Sequence, residues 1–112
     1  MTAANTVTVE EGLRLLAEAE TEEHFMQRII DLARQLNWLV YHTRSSKGSE
    51  PGFPDLVLLK GRKLVTWEVK RERKYATTAQ MGWLLAFHQA GAEALAVHPS
   101  DWNYIRRTLE EG

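Results

Sequence analysis

The chain has 112 residues, a formal net charge of −1 and no cysteine. These values fit one domain with a modest core, and exclude a disulfide framework, a Cys-zinc site and a globally basic nucleic-acid binder. No apolar run approaches the roughly 20 residues of a membrane span, and the N-terminus lacks the layout of a signal peptide. A cytoplasmic, membrane-free protein is therefore expected.

Residues 1–20 read as an N-terminal extension. Its first nine residues look weakly extended or disordered, and Glu10 to Ala19 looks like a short helix with Leu13, Leu16 and Ala17 on one side. The folded domain is expected over residues 21–112. Thr21 can cap a helix running to about Leu36, with Phe25, Ile29, Leu32 and Leu36 as its apolar stripe. Trp38 to Thr43 reads as a strand, followed by a polar loop from Arg44 to Gly52. Asp55 to Lys60 and Lys63 to Lys70 read as two further strands. A basic connection from Arg71 to Tyr75 leads to a helix from about Thr78 to Ala90, with Gly91 as C-cap. Ala94 to His98 forms a last strand. Pro99 breaks it, and Ser100 or Asp101 can cap a terminal helix carrying Trp102, Ile105 and Leu109. The result is an α/β sandwich around a small mixed sheet. The helix after the hairpin allows the last strand to pair in parallel.

Gly61-Arg62 separates the second and third strands, and a two-residue loop with Gly first suits a type II′ hairpin turn. Lys60 then faces Lys63, and the same register sets Asp55 opposite Glu68. Directly paired residues share a face, with Cβ atoms roughly 4.5–5.5 Å apart. Lys70 lies two residues beyond Glu68 and shares that face. The sequence thus predicts a convergent Asp55-Glu68-Lys70 cluster, which a one-residue slip would scatter. Val57, Leu59, Leu64 and Thr66 complete the face, as expected beneath a covering helix. Two carboxylates beside an amine suit a divalent-metal site next to a proton-handling group.

Glu22 lies three residues before Phe25, on the apolar stripe. Two readings compete: an acid favoured by the helix dipole, or a carboxylate serving a metal or its bound water. Gln80 shares a stripe with Leu84 and Phe87. It either orients a water, phosphate or lysine, or completes a capping box with Thr77. His42 ends the first strand near the cluster and is a possible DNA contact. The other histidines, His24, His88 and His98, read as structural or surface residues.

The charge is uneven. Lys60 to Lys74 holds seven basic residues against two acids, whereas Glu10 to Glu23 holds six acids against one Arg. A basic stripe beside a carboxylate cluster suits an anionic polymer held next to a metal. The competing reading is a solvated, charged hairpin end.

At these residues the chain resembles the VRR-NUC (virus-type replication-repair nuclease) group of the PD-(D/E)XK nuclease superfamily. It looks most like the short stand-alone members of phages and bacteria. The matching stretches are Thr21-Glu22 with Phe25 and Leu32-Ala33; Trp38 to Thr43; Gly52-Phe53-Pro54-Asp55-Leu56-Val57; Glu68-Val69-Lys70; Gln80 with Trp83 and Gly91; and Pro99 to Trp102. The resemblance implies a restriction-endonuclease-like αβββαβ core, a Mg²⁺ or Mn²⁺ cofactor, and a homodimer acting on branched DNA such as Holliday junctions. It carries metal ligation onto Asp55, Glu68 and the Val69 carbonyl, the catalytic lysine onto Lys70, and the helical glutamate and glutamine onto Glu22 and Gln80. Oxygen ligands beside a lysine favour Mg²⁺ or Mn²⁺ over zinc. Arg44, Lys47, Arg71, Arg73 and Lys74 are the expected DNA-backbone contacts. The rival readings are a non-catalytic DNA-binding or assembly module on the same fold, and a host-interaction protein whose acidic N-terminal segment binds a partner.

Overall fold

The structure, a computed structural model, describes residues 7–44 and 50–112. Its elements are α1 (Val9–Ala19), α2 (Glu22–Gln35), β1 (Leu39–His42), β2 (Leu56–Lys60), β3 (Lys63–Val69), α3 (Thr78–Gln89), β4 (Glu93–Val97) and α4 (Trp102–Glu110). A 3-10 turn, Pro99–Asp101, precedes α4. The strands form one sheet in the order β1-β2-β3-β4. The first two pairings are antiparallel, and β3 pairs with β4 in parallel through the α3 crossover. The chain is thus an α/β protein with a small mixed sheet, and the expected helix and strand order holds.

The hairpin has the register that its turn dictates: Lys60 pairs with Lys63 and Leu56 with Trp67. Gly61 takes φ +59, a conformation that glycine adopts without steric cost. Alternation then sends Leu56, Leu58, Val65, Trp67 and Val69 to one face. There they bury against Phe25 and Ile29 of α2 and Ile105 and Leu109 of α4. Burying each such side chain contributes roughly 1.5–3 kcal/mol, so this layer is the main stabilising core. α3 packs on β3 and β4.

Three local expectations change. β2 begins at Leu56 and β3 ends at Val69, one residue short at each side, because Pro54 has no N–H with which to extend the ladder. The face bearing Val57, Leu59, Leu64 and Thr66 is only partly covered. Thr66 is fully buried but Leu59 is 44% exposed, since α3 lies over β3 and β4 and not over the hairpin turn. Asp101 precedes α4 without capping it by its side chain; its carboxylate instead accepts the His98 N–H at 2.8 Å and closes the 3-10 turn.

Thr21 caps α2 as expected, its hydroxyl accepting the His24 N–H at 3.1 Å. α1 buries no residue, and ionic contacts join it and its C-cap to the rest of the domain. Glu18 meets Arg73 at 2.7 Å, and Glu20 accepts from Nη2 and Nε of Arg28 at 2.6 and 2.7 Å. Burial acts to raise the Glu20 pKa, but the hydrogen bonds and charges of Arg28 and His24 outweigh it and hold the carboxyl below its usual range. Among the described residues, no helix is long and apolar enough to cross a membrane.

Candidate active site

The Pro54-Asp55 turn is fixed from both neighbouring strands. On the β1 side, the Thr43 N–H donates to the Asp55 carbonyl at 2.8 Å and the Thr43 hydroxyl donates to the Pro54 carbonyl at 2.7 Å. On the β3 side, the Asp55 carboxylate accepts the Val69 N–H at 2.8 Å. A side-chain carboxylate thus takes the Val69 N–H that a backbone carbonyl would accept if the ladder continued. The acid is held at the open end of the hairpin, beside the strand that carries Glu68.

The segment entering this turn is clamped to α3. Gly52 takes φ +85, and a Cβ there would lie 2.6 Å from the Ala79 carbonyl carbon, so only glycine admits this approach. Trp83 donates its indole N–H to the Pro51 carbonyl at 3.1 Å. Phe53 packs edge-on against Trp83 and Phe87, with ring centroids 5.1 and 5.9 Å apart. These contacts explain the Gly52-Phe53 pair that precedes Pro54-Asp55.

Glu68 is the unusual residue of the sheet. Thr66 and Glu68 are the only buried polar residues among those described, and Glu68 is 2% exposed. Its Oε2 is buried without a hydrogen-bond partner. Burial, then a hydrogen bond to Asp55 and the Asp55 charge, push the Glu68 pKa up to about 9. Lys70 opposes this rise and Glu22 adds to it. The charges of Asp55, Lys70 and Glu22 thus act on Glu68, and those of Asp55 and Lys70 act on Glu22. The Lys70 N–H donates to the Val97 carbonyl at 3.0 Å, toward β4. Backbone alternation turns the Val69 N–H and carbonyl the other way, toward Asp55 and beyond the last β2–β3 pair.

Glu22 opens α2 beside this cluster, but it is exposed instead of buried on the core stripe. Phe25 turns fully into the core, whereas Glu22 lies at the helix entrance, where water reaches it. Partial desolvation and the Asp55 charge raise its pKa, while Lys70 lowers it. Gln80 forms the capping box: its Oε1 accepts the Thr77 N–H at 2.8 Å and its own N–H donates to the Thr77 hydroxyl at 3.2 Å. Its carbonyl oxygen is thereby committed to α3. His42 pairs with Leu56, so it leaves the sheet on the face opposite Asp55. Arg44, Arg71 and Lys74 are exposed, and Arg73 is exposed yet paired with Glu18. Lys47 lies outside the described residues.

Sequence reasoning missed Thr43, Gly52 and Glu18 as supports of this region. The Gly52-Phe53 pair was visible in the motif, but the helix turn against which it packs was not. Nothing local marks Glu18 as the partner of Arg73.

Among the described residues, no group of three or more His, Cys, Asp and Glu side chains forms a metal-holding cluster. Asp55 and Glu68 together provide two carboxylates, one with an orphaned buried oxygen, and the Val69 carbonyl adds a third oxygen type. This donor set fits a hard divalent cation, which would take the place of the Glu68 proton. A separate cavity of about 470 Å³ lies between α1 and α4, lined by Leu13, Leu16, Pro99 and Trp102. It holds the Glu20–Arg28 ion pair but no acid–lysine cluster, so the chemistry points to the hairpin end. Compared with known proteins, the chain matches no family model, no curated protein and no solved structure.

Proposed function

We propose that this protein is a divalent-metal-dependent DNA endonuclease of the VRR-NUC type. The observation that carries the reading is the buried Glu68 carboxyl brought against Asp55, with the Lys70 charge acting on both Glu68 and Glu22. A structural sheet gains nothing from burying a carboxyl without a full set of partners, which costs free energy. A site that binds a cation recovers that cost.

Asp55, Glu68 and the Val69 carbonyl would hold Mg²⁺ or Mn²⁺, with Glu22 acting through water. The ion supplies Lewis-acid polarisation of the phosphate and a more acidic water. The chain does the rest. The Val69 and Thr43 bonds keep the Asp55 turn from shifting. Lys70 positions the attacking water as an ammonium or, in its neutral form, takes the water's proton, and in either case its positive charge offsets the charge that develops on the phosphate. Gln80 holds the first turn of α3, against which Gly52 positions Asp55. Arg44, Arg71, Arg73 and Lys74, with Lys47, contact the DNA backbone and set its register without reading sequence.

The same reading makes the substrate branched DNA and the working form a homodimer in the cytoplasm of a bacterial or phage-infected cell. One site per 112-residue chain cuts both strands together only if two copies act as a symmetric pair. An apolar surface supports the pairing: Leu39, Tyr41 and Leu59 are 73%, 59% and 44% exposed on one face of β1 and β2. The alternative is a non-catalytic DNA-binding module on the same fold, whose mark would be loss of the lysine or of one acid; this chain keeps Asp55, Glu68 and Lys70. Cleavage of labelled four-way junction, flap and linear duplex DNA in Mg²⁺, Mn²⁺ or EDTA separates the two. Metal-dependent cutting with paired, symmetric nicks in the junction is expected. DNA binding without cutting in any metal would leave the binding module.

A further inference from the structure

The connection between Lys70 and α3 carries a feature that the proposed chemistry does not use. Tyr75 is 79% exposed, yet the loop that presents it is tied down on several sides. The Lys74 N–H donates to the Arg71 carbonyl at 3.1 Å, closing a turn. Glu72 accepts the Ser100 N–H at 2.7 Å, and the Lys74 carbonyl lies 2.6 Å from the His98 ring nitrogen Nε2. The same His98 ring meets Tyr75 edge to face, with centroids 6.2 Å apart. Tyr75 thus stands on an anchored loop, with its ring against His98 on one side and most of its surface in water, and Arg71, Arg73 and Lys74 precede it in sequence.

We infer that Tyr75 is a stacking platform for an unpaired DNA base beside the cut site. The inference rests on the nuclease reading for its substrate, but not on the metal or on Lys70. Aromatic side chains in a basic setting bind bases by stacking, and a preordered ring loses less entropy when it does so. Tyr75 stands five residues from Lys70 and five from Gln80. A segment of that length spans at most about 18 Å. At roughly 3.4 Å per base step along a strand, the stacked base lies within about five nucleotides of the scissile phosphate. A base inside a paired duplex presents no free face to such a ring. Tyr75 therefore favours DNA with unpaired bases near a branch.

The test uses the full-length protein in EDTA, so that no cutting intervenes. Flap DNA carries 2-aminopurine in its unpaired strand at the branch, and a fully paired duplex is the control. Wild type, Tyr75→Ala and Tyr75→Trp are compared by fluorescence and by binding titration, and thermal melting confirms the fold of each. The wild type should change the 2-aminopurine signal, and Tyr75→Ala should abolish that change. Tyr75→Ala should also weaken flap binding roughly tenfold, with a smaller loss on paired duplex, and Tyr75→Trp should restore both readouts. Equal signals and affinities for wild type and Tyr75→Ala would overturn the inference, even if the wild type cuts DNA in Mg²⁺. A stacking signal from a protein that cuts nothing in any metal would support the inference and overturn the nuclease reading.

Discussion

The Asp55 carboxylate accepts the backbone N–H of Val69 at 2.8 Å, across the open end of the β2–β3 hairpin. The Pro54 carbonyl accepts the Thr43 hydroxyl instead, and the β2–β3 ladder stops at Leu56–Trp67, which leaves the Val69 N–H to the Asp55 carboxylate. The bond aligns Asp55 with the strand that carries Glu68, Val69 and Lys70. A proline, an acid and the strand beside them thus form one structural unit.

Lys70→Ala should lower cleavage by about 100- to 10,000-fold, the range for loss of a proton-transfer group. Its melting temperature should stay near that of the wild type, since the backbone N–H bond to Val97 survives the substitution. Initial rates on flap DNA in Mn²⁺ and a thermal melt check both parts.

Glu68 keeps its proton up to about 9 in the folded protein without metal, as burial and Asp55 dictate. In an unfolded chain a glutamate titrates near about 4.3. The folded state therefore binds this proton more tightly. The stability gained is complete below about pH 4 and is lost as pH rises towards about 9. The difference in melting temperature between wild type and Glu68→Gln, measured in EDTA, should move against the wild type across that window. A difference that stays constant with pH would show that Glu68 ionises normally.

Gly52→Ala forces a Cβ to 2.6 Å from the Ala79 backbone at a φ of +85. Strain of this kind costs about 1–3 kcal/mol. The melting temperature should fall, and cleavage should fall further than stability alone explains, because the displaced loop carries Asp55. Comparing rates well below the melting temperature separates the two effects.

Glu18→Gln should release Arg73 from α1. An ion pair at this exposure contributes only about 0.2–1 kcal/mol, so stability should barely change. DNA affinity should rise by up to about fivefold, because Arg73 becomes free for a phosphate and a repelling charge is gone. Binding titrations at several salt concentrations would show it as a steeper salt dependence.

The hairpin was legible because its turn and its alternation act over a few residues. Gly61-Arg62 fixes the register, and the register fixes which face Asp55 and Glu68 share. The caps at Thr21 and Thr77 were legible for the same local reason. What the sequence did not reveal depends on distant packing. Periodicity places Leu59 on a face but does not say how far α3 extends across it. Glu22 continues the Phe25 stripe by spacing, yet the stripe meets water at the first helical turn. His42 ends the strand beside the cluster, but strand alternation turns it to the other face. Gln80 fitted two roles by pattern, and the capping box is the one its carbonyl oxygen adopts.

The most direct test compares wild type, Asp55→Ala and Lys70→Ala on labelled four-way junction DNA in Mn²⁺, with DNA binding measured in parallel. Cutting by the wild type, abolished in EDTA and in both variants while DNA binding persists, is the predicted result. Equal cutting by all three proteins, or DNA binding without cutting by the wild type, would contradict a catalytic Asp55-Glu68-Lys70 site.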